Sequence, residues 1–67
     1  MSEIWSTAET AARISDPPLP VATLRYWRHV GEGPKSFKIG RRVVYRRADV
    51  EAWLASQYET TVRGGAL

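Results

Sequence analysis

Phe37-Lys38-Ile39-Gly40-Arg41-Arg42-Val43-Val44-Tyr45-Arg46 is the stretch that decides the fold. Apolar residues alternate at Phe37 and Ile39, and again at Val43 and Tyr45, with a glycine between the two runs. A period of two marks a half-buried strand, and glycine between two such runs marks a hairpin. Two turns compete. A two-residue Gly40-Arg41 turn pairs Ile39 with Arg42 and puts Arg42 and Val44 on the face of Ile39. A three-residue loop pairs Ile39 with Val43, so that Phe37, Ile39, Val43 and Tyr45 share one face. The second register is the expected one, because a slip of one residue turns a whole apolar set into water.

Helices are expected on both sides of this hairpin. Downstream, Arg47 to about Gln57 carries Val50, Trp53 and Leu54 at i, i+3, i+4 spacing, with Asp49 and Glu51 near the positive end of the helix dipole. Upstream, Val21 to about Val30 reads as a helix opened by Pro20, with Leu24 and Trp27 facing the core together. Arg25, Arg28 and His29 then point elsewhere, and Gly31, Gly33 and Pro34 stop it. Asp16-Pro17-Pro18-Leu19-Pro20 must be a break, since adjacent prolines remove backbone donors and exclude helical geometry before them. Ser6 to Ser15 is a first helix. Ser6 and Glu9 form an S-x-x-E capping box, and Ala8, Ala11, Ala12 and Ile14 give a narrow apolar face. Glu59 to Leu67 has no apolar period and reads as a loose tail, which divides the chain into a domain over 1–58 and a tail over 59–67.

Sixty-seven residues make one domain with a thin core, so Trp5, Trp27 and Trp53 are expected to supply much of it. Trp5 either packs over the third helix or stays partly exposed. There is no cysteine, hence no disulfide framework and no thiolate metal site, and the single His29 has no ligand-type partner at helical spacing. No cofactor and no catalytic constellation is read: the sequence offers no thiol, no paired histidines and no Gly-rich phosphate loop. The first residues carry Glu3 and lack a charged-then-apolar run, and no stretch approaches membrane-spanning length. A cytoplasmic setting without a membrane partner is expected.

The net charge of +3 hides an uneven distribution. Between Arg25 and Arg47 eight cations face Glu32 alone, a net of +7, while the rest of the chain, with two cations and six acids, carries −4. Charge gathered in one segment and interleaved with Tyr26 and Trp27 is the footprint of a polyanion binder. The bland alternative is a solvated basic face.

The order helix, turn, helix, hairpin, helix is that of an α+β fold, a small winged helix-turn-helix. Ser6-x-x-Glu9-x-Ala11-Ala12, Thr23-Leu24-Arg25-Tyr26-Trp27 and Ile39-Gly40-Arg41-Arg42, followed by Tyr45 to Leu54, resemble the MerR-like excisionase family. That family includes phage and plasmid excisionases and related small regulators. The resemblance spans about Trp5 to Gln57, and the last block is the most specific. The linker Ser15 to Pro20 is about two residues longer than the family's usual turn and carries three prolines.

The resemblance implies double-stranded DNA as partner, with the second helix in the major groove, where base edges are distinguishable. Arg25 is the first choice for a base or near-base contact, since its planar fork can bond guanine O6 and N7 together or grip a phosphate. Tyr26 gives its hydroxyl to a phosphate or packs partly buried. Thr23 touches a phosphate or supports the first turn. Arg28 and His29 are phosphate candidates near the helix end. Arg41 and Arg42 at the hairpin tip, assisted by Lys38, would reach the adjacent minor groove or its phosphates. Alternatively, these cations only protect an exposed hairpin from aggregation. Arg46 and Arg47 sit where strand meets helix and can pair with Asp49 or Glu51 instead.

An excisionase would bend attachment-site DNA beside neighbouring copies of itself and assist an integrase in prophage excision. A transcriptional regulator of the same fold is the alternative, and a protein-interaction module is a weaker one. The sequence holds no long coiled coil, which would have pointed to a dimeric regulator.

Overall fold

The computed structural model describes residues 3–65. Strand β1 (Ile4–Ser6) leads into helix α1 (Thr7–Ile14), followed by α2 (Val21–Val30), the hairpin β2 (Phe37–Ile39) and β3 (Arg42–Arg46), and α3 (Arg47–Thr61). The strands form one antiparallel sheet in the order β1-β3-β2. The architecture is the expected small winged helix-turn-helix, with β1 added.

Each helix starts where its sequence says it should. Ser6 caps α1, accepting from the Glu9 backbone N–H at 3.1 Å, while the Glu9 carboxylate accepts from the Ser6 N–H at 2.8 Å. This reciprocal box satisfies two donors that the helix itself cannot. Pro20 stands just before α2, and its carbonyl accepts from Thr23 N–H. The far end of α2 closes with the Glu32 N–H donating to the Trp27 carbonyl at 2.7 Å and the Gly31 N–H to that of Arg28, the two bonds of a Schellman ending.

The hairpin takes the register that was not expected. Ile39 pairs with Arg42 and Phe37 with Val44, across a two-residue Gly40-Arg41 turn. Gly40 lies at φ +60°, the first position of a type II′ turn, which favours glycine and matches the twist of the flanking strands. Directly opposed residues share a face. Trp5, Tyr45, Val43 and Lys38 therefore line one side, and Ile4, Val44, Phe37, Ile39, Arg42 and Arg46 the other. The core lies on the first side, where Trp5 and Tyr45 meet Val50 of α3, with Ile14, Val43 and Leu54 packed around them. Phe37 and Ile39 remain 36% and 54% exposed. The adjacent pair Val43-Val44 explains why pattern alone misleads: either register offers a valine to the interior.

β1 was not foreseen. It pairs Trp5 with Tyr45 and buries Trp5, which settles its place beside α3. The Arg13 guanidinium covers the Trp5 ring at 5.1 Å. Trp27 and Trp53 depart from the core reading. They are only half-buried and stack on each other between α2 and α3, ring centroids 5.4 Å apart and tilted by 46°. In a chain of this size two more indoles exceed what one small interior can enclose. Leu24 and Val50 are fully buried as expected. In α1 the buried positions are Thr10 and Ala11, the Thr10 hydroxyl donating to the Ser6 carbonyl, whereas Ala8 and Ala12 are exposed. The third helix does not stop at Gln57. It runs to Thr61, across the expected boundary at 58/59, with the Thr60 and Thr61 hydroxyls bonding back to the carbonyls of Ser56 and Gln57.

The register has a direct thermodynamic consequence. Phe37→Ala is expected to cost about 1 kcal/mol or less in urea unfolding, against the roughly 3–5 kcal/mol of a fully buried phenylalanine. Val50→Ala, at a position with no exposure, is expected to cost about 2 kcal/mol. A larger loss at Phe37 than at Val50 would restore the three-residue loop.

Candidate nucleic-acid interface

On α2, Val21, Arg25 and Arg28 fall at i, i+4 and i+7, a single stripe of the helix. The hairpin brings its tip to the same side. Between them lies an open groove of about 650 Å³, lined by Ser6, Thr7, Ala8, Val21, Arg25, Arg28, Arg41, Arg42, Val43 and Tyr45. Four arginines from two elements separated in sequence thus share one concavity. Among the described residues no carboxylate pairs with Arg25, Arg41 or Arg42. Such a groove presents a concentrated positive field to a polyanion.

Arg28 is held. Its Nε–H donates to the Ser36 hydroxyl at 2.9 Å, so the loop before β2 orients the guanidinium. Beneath it, the Tyr45 side chain forms part of the groove floor. Burial pushes the Tyr45 phenol above its ordinary value, and the nearby Arg28 charge partly opposes that rise. The start of α1 closes one end of the groove, and the Thr7 hydroxyl donates to the Val43 carbonyl at 3.3 Å, tying α1 to the hairpin.

The structure brings together Arg25, Arg28, Arg41 and Arg42 of the eight residues expected to contact DNA. Thr23, Tyr26, His29 and Lys38 do not line the groove. Tyr26 is 62% exposed on α2, so the partly buried packing alternative does not hold. Thr23 is half-buried, with its N–H bonded to Pro20, and His29 and Lys38 are exposed. Arg47 is engaged elsewhere: its backbone N–H donates to the Glu3 carbonyl, and its guanidinium pairs with Glu51 at 3.0 Å. Arg46 lies on the outer side of the sheet by register and does not line the groove; Arg42 shares that register but, next to the turn, borders the groove as well. Ser6, Thr7, Ala8, Val21, Val43 and Tyr45 line the groove without having been expected there. The i, i+4, i+7 stripe would have revealed Val21, whereas the others follow only from tertiary contacts.

Residues 18–58 match the family model described as a helix-turn-helix domain. The chain belongs to the helix-turn-helix domain family. The matched span holds α2, the hairpin and most of α3, and every expected contact residue. No curated protein and no solved structure matches the chain. The family includes excisionase-like small DNA-binding proteins and supports sequence-specific binding of DNA by this domain. Among the described residues no helix is long and apolar enough to cross a membrane, and no group of acidic or histidine residues could hold a metal ion.

Two measurements follow from this geometry. In duplex titrations, Arg25→Ala is expected to erase about 1–3 kcal/mol of preference for a cognate site over random DNA. Arg41→Ala with Arg42→Ala is expected to weaken both duplexes alike, and equal behaviour of the two variants would refute the division between helix and hairpin. For Tyr45, the difference in phenolate absorbance between the native protein and Tyr45→Phe isolates one hydroxyl. Its ionisation is expected above the free phenol value near about 10. Because the fold favours the neutral phenol, this contribution to stability is full below the unfolded value and lost as pH rises through the folded one. Ionisation at or below the ordinary value would show that the phenol is not desolvated.

Proposed function

We propose that this helix-turn-helix protein is a non-enzymatic, architectural DNA-binding protein of excisionase type, acting inside the cell on attachment-site DNA beside an integrase. The observation that carries the reading is the convergence of Arg25 and Arg28 on α2 with Arg41 and Arg42 on the hairpin in one groove. A helix in the major groove and an arginine-tipped wing in the adjacent minor groove would span a short site from one side. Asymmetric charge neutralisation and groove insertion both favour a bend.

The small size of the domain supports an assembly reading. A single module buries on the order of 600–1,000 Å² against DNA, too little for high affinity at a unique site. Neighbouring copies raise one another's effective concentration through the DNA they share, so weak contacts between them become useful. A contact of this head-to-tail kind does not close on itself. The resemblance to excisionases points the same way.

The expected outcome is a monomer in sedimentation of the free protein and stepwise, cooperative shifts on duplexes of increasing length, with growing bend. With about five phosphate contacts per copy, the log–log salt slope is expected near −4 to −5. A stable two-fold dimer that occupies one palindrome, with no added copies on longer DNA, would favour the transcriptional regulator. A slope near zero would remove the nucleic-acid reading itself.

A further inference from the structure

The side of α2 turned away from the arginine groove carries a second concavity, of about 520 Å³, lined by Trp27, Gly31, Glu32, Gly33, Trp53 and Gln57. It shares no lining residue with the arginine groove. Each helical residue turns by about 100°, so Trp27 stands roughly 200° from Arg25 around the helix axis. A ligand on the arginine face therefore leaves this side of α2 open.

Two features make the concavity a built one. Gly33, at φ +77°, lays its backbone against the Trp27 ring: a Cβ there would come within 3.0 Å of Trp27 Cε3. The loop thus fixes Trp27, and the tilted stack 5.4 Å away fixes Trp53. Both indoles stay half-exposed. Beside them stands Glu32, the single acid of the +7 segment. Its backbone is anchored to the Trp27 carbonyl at 2.7 Å, while no described cation pairs with its carboxylate. Across Trp53, the adjoining hollow contains a second carboxylate, Asp49.

Electron-rich indole surfaces beside an unpaired carboxylate are complementary to a cation, and above all to a planar one. Guanidinium stacks on aromatic faces and is weakly hydrated, and it bonds a carboxylate with directed N–H donors. The charge of this face is opposite to that of the rest of the segment, which selects a basic ligand where the neighbouring groove selects an anionic one. We propose that the Trp27–Trp53 groove is a receptor for an arginine side chain of a partner protein, with the indoles stacking on the guanidinium and Glu32 accepting its hydrogen bonds. This inference stands apart from the DNA reading, and neither requires the other.

The test uses the full chain and a blocked Gly-Arg-Gly tripeptide, with its citrulline counterpart as the uncharged isostere. The indole N–H resonances of the three tryptophans report separately, and Trp5, buried in the sheet, serves as the internal reference. The arginine peptide is expected to shift Trp27 and Trp53 saturably while Trp5 stays still, and the citrulline peptide to shift neither. Glu32→Gln changes an exposed side chain and is expected to preserve the thermal melt yet weaken the arginine response at least fivefold. Trp53→Phe, which keeps an aromatic face of smaller area, is expected to weaken it less. Equal responses to arginine and citrulline, an undiminished response in Glu32→Gln, or no saturable shift at Trp27 and Trp53 would each overturn the proposal.

Discussion

The pairing of Ile4-Trp5-Ser6 with β3 is the contact on which the rest of the molecule depends. It sets Trp5 opposite Tyr45 on the inner side of the sheet, where both are buried against Val50 of α3. The same three residues end at Ser6, which is at once the last residue of the strand and the cap of α1. The direction of α1 is therefore inherited from the sheet. The Glu3 carbonyl, one residue earlier, accepts from Arg47 N–H and fixes the start of α3. One short strand thus couples the wing, the first helix and the third helix. A chain of 67 residues has little area to spare, so this economy of contacts stands in for a larger interior.

The groove is a consequence of that coupling. α2 touches the rest of the fold through buried Leu24, through α1 and through the Trp27–Trp53 stack. The hairpin is placed by β1 from the other side. Only when both are set do Arg25 and Arg28 share a groove with Arg41 and Arg42. The repulsion among four such cations is tolerable because the groove is open to water, where a pair of charges at close range interacts weakly. Arg28 has the further support of Ser36.

Much of this was legible in the residues, for reasons that can be stated. The capping box at Ser6 and Glu9, the proline before α2 and the glycine after it are local signals, and local signals do not wait for tertiary context. The four groove arginines were legible because charge and helical spacing are also local. Four features were not. β1 is three residues long, too short for alternation to show. The hairpin register depended on which side of the sheet the interior lay, and Val43-Val44 offers no preference. The end of α3 was obscured by Thr60-Thr61, β-branched residues of low helix propensity, whose hydroxyls are in fact taken up by the preceding turn. Tyr45 entered the groove through contacts spanning distant parts of the sequence, which no periodicity encodes.

The two tryptophans of the α2–α3 junction connect these points. Apolar periodicity marks Leu24 with Trp27 and Val50 with Trp53 as inward-facing, and for Leu24 and Val50 that is correct. The indoles are longer, and a sheet of three short strands cannot cover them. They reach beyond the interior and meet each other at its margin, where Gly33 closes over one ring. The junction therefore holds α3 to α2 by side-chain length rather than by close approach of the helices. It also leaves aromatic surface on one side of α2 while the arginines occupy the other. Period alone reports which way a residue points; its size against the depth of the interior decides whether it ends as core or as surface.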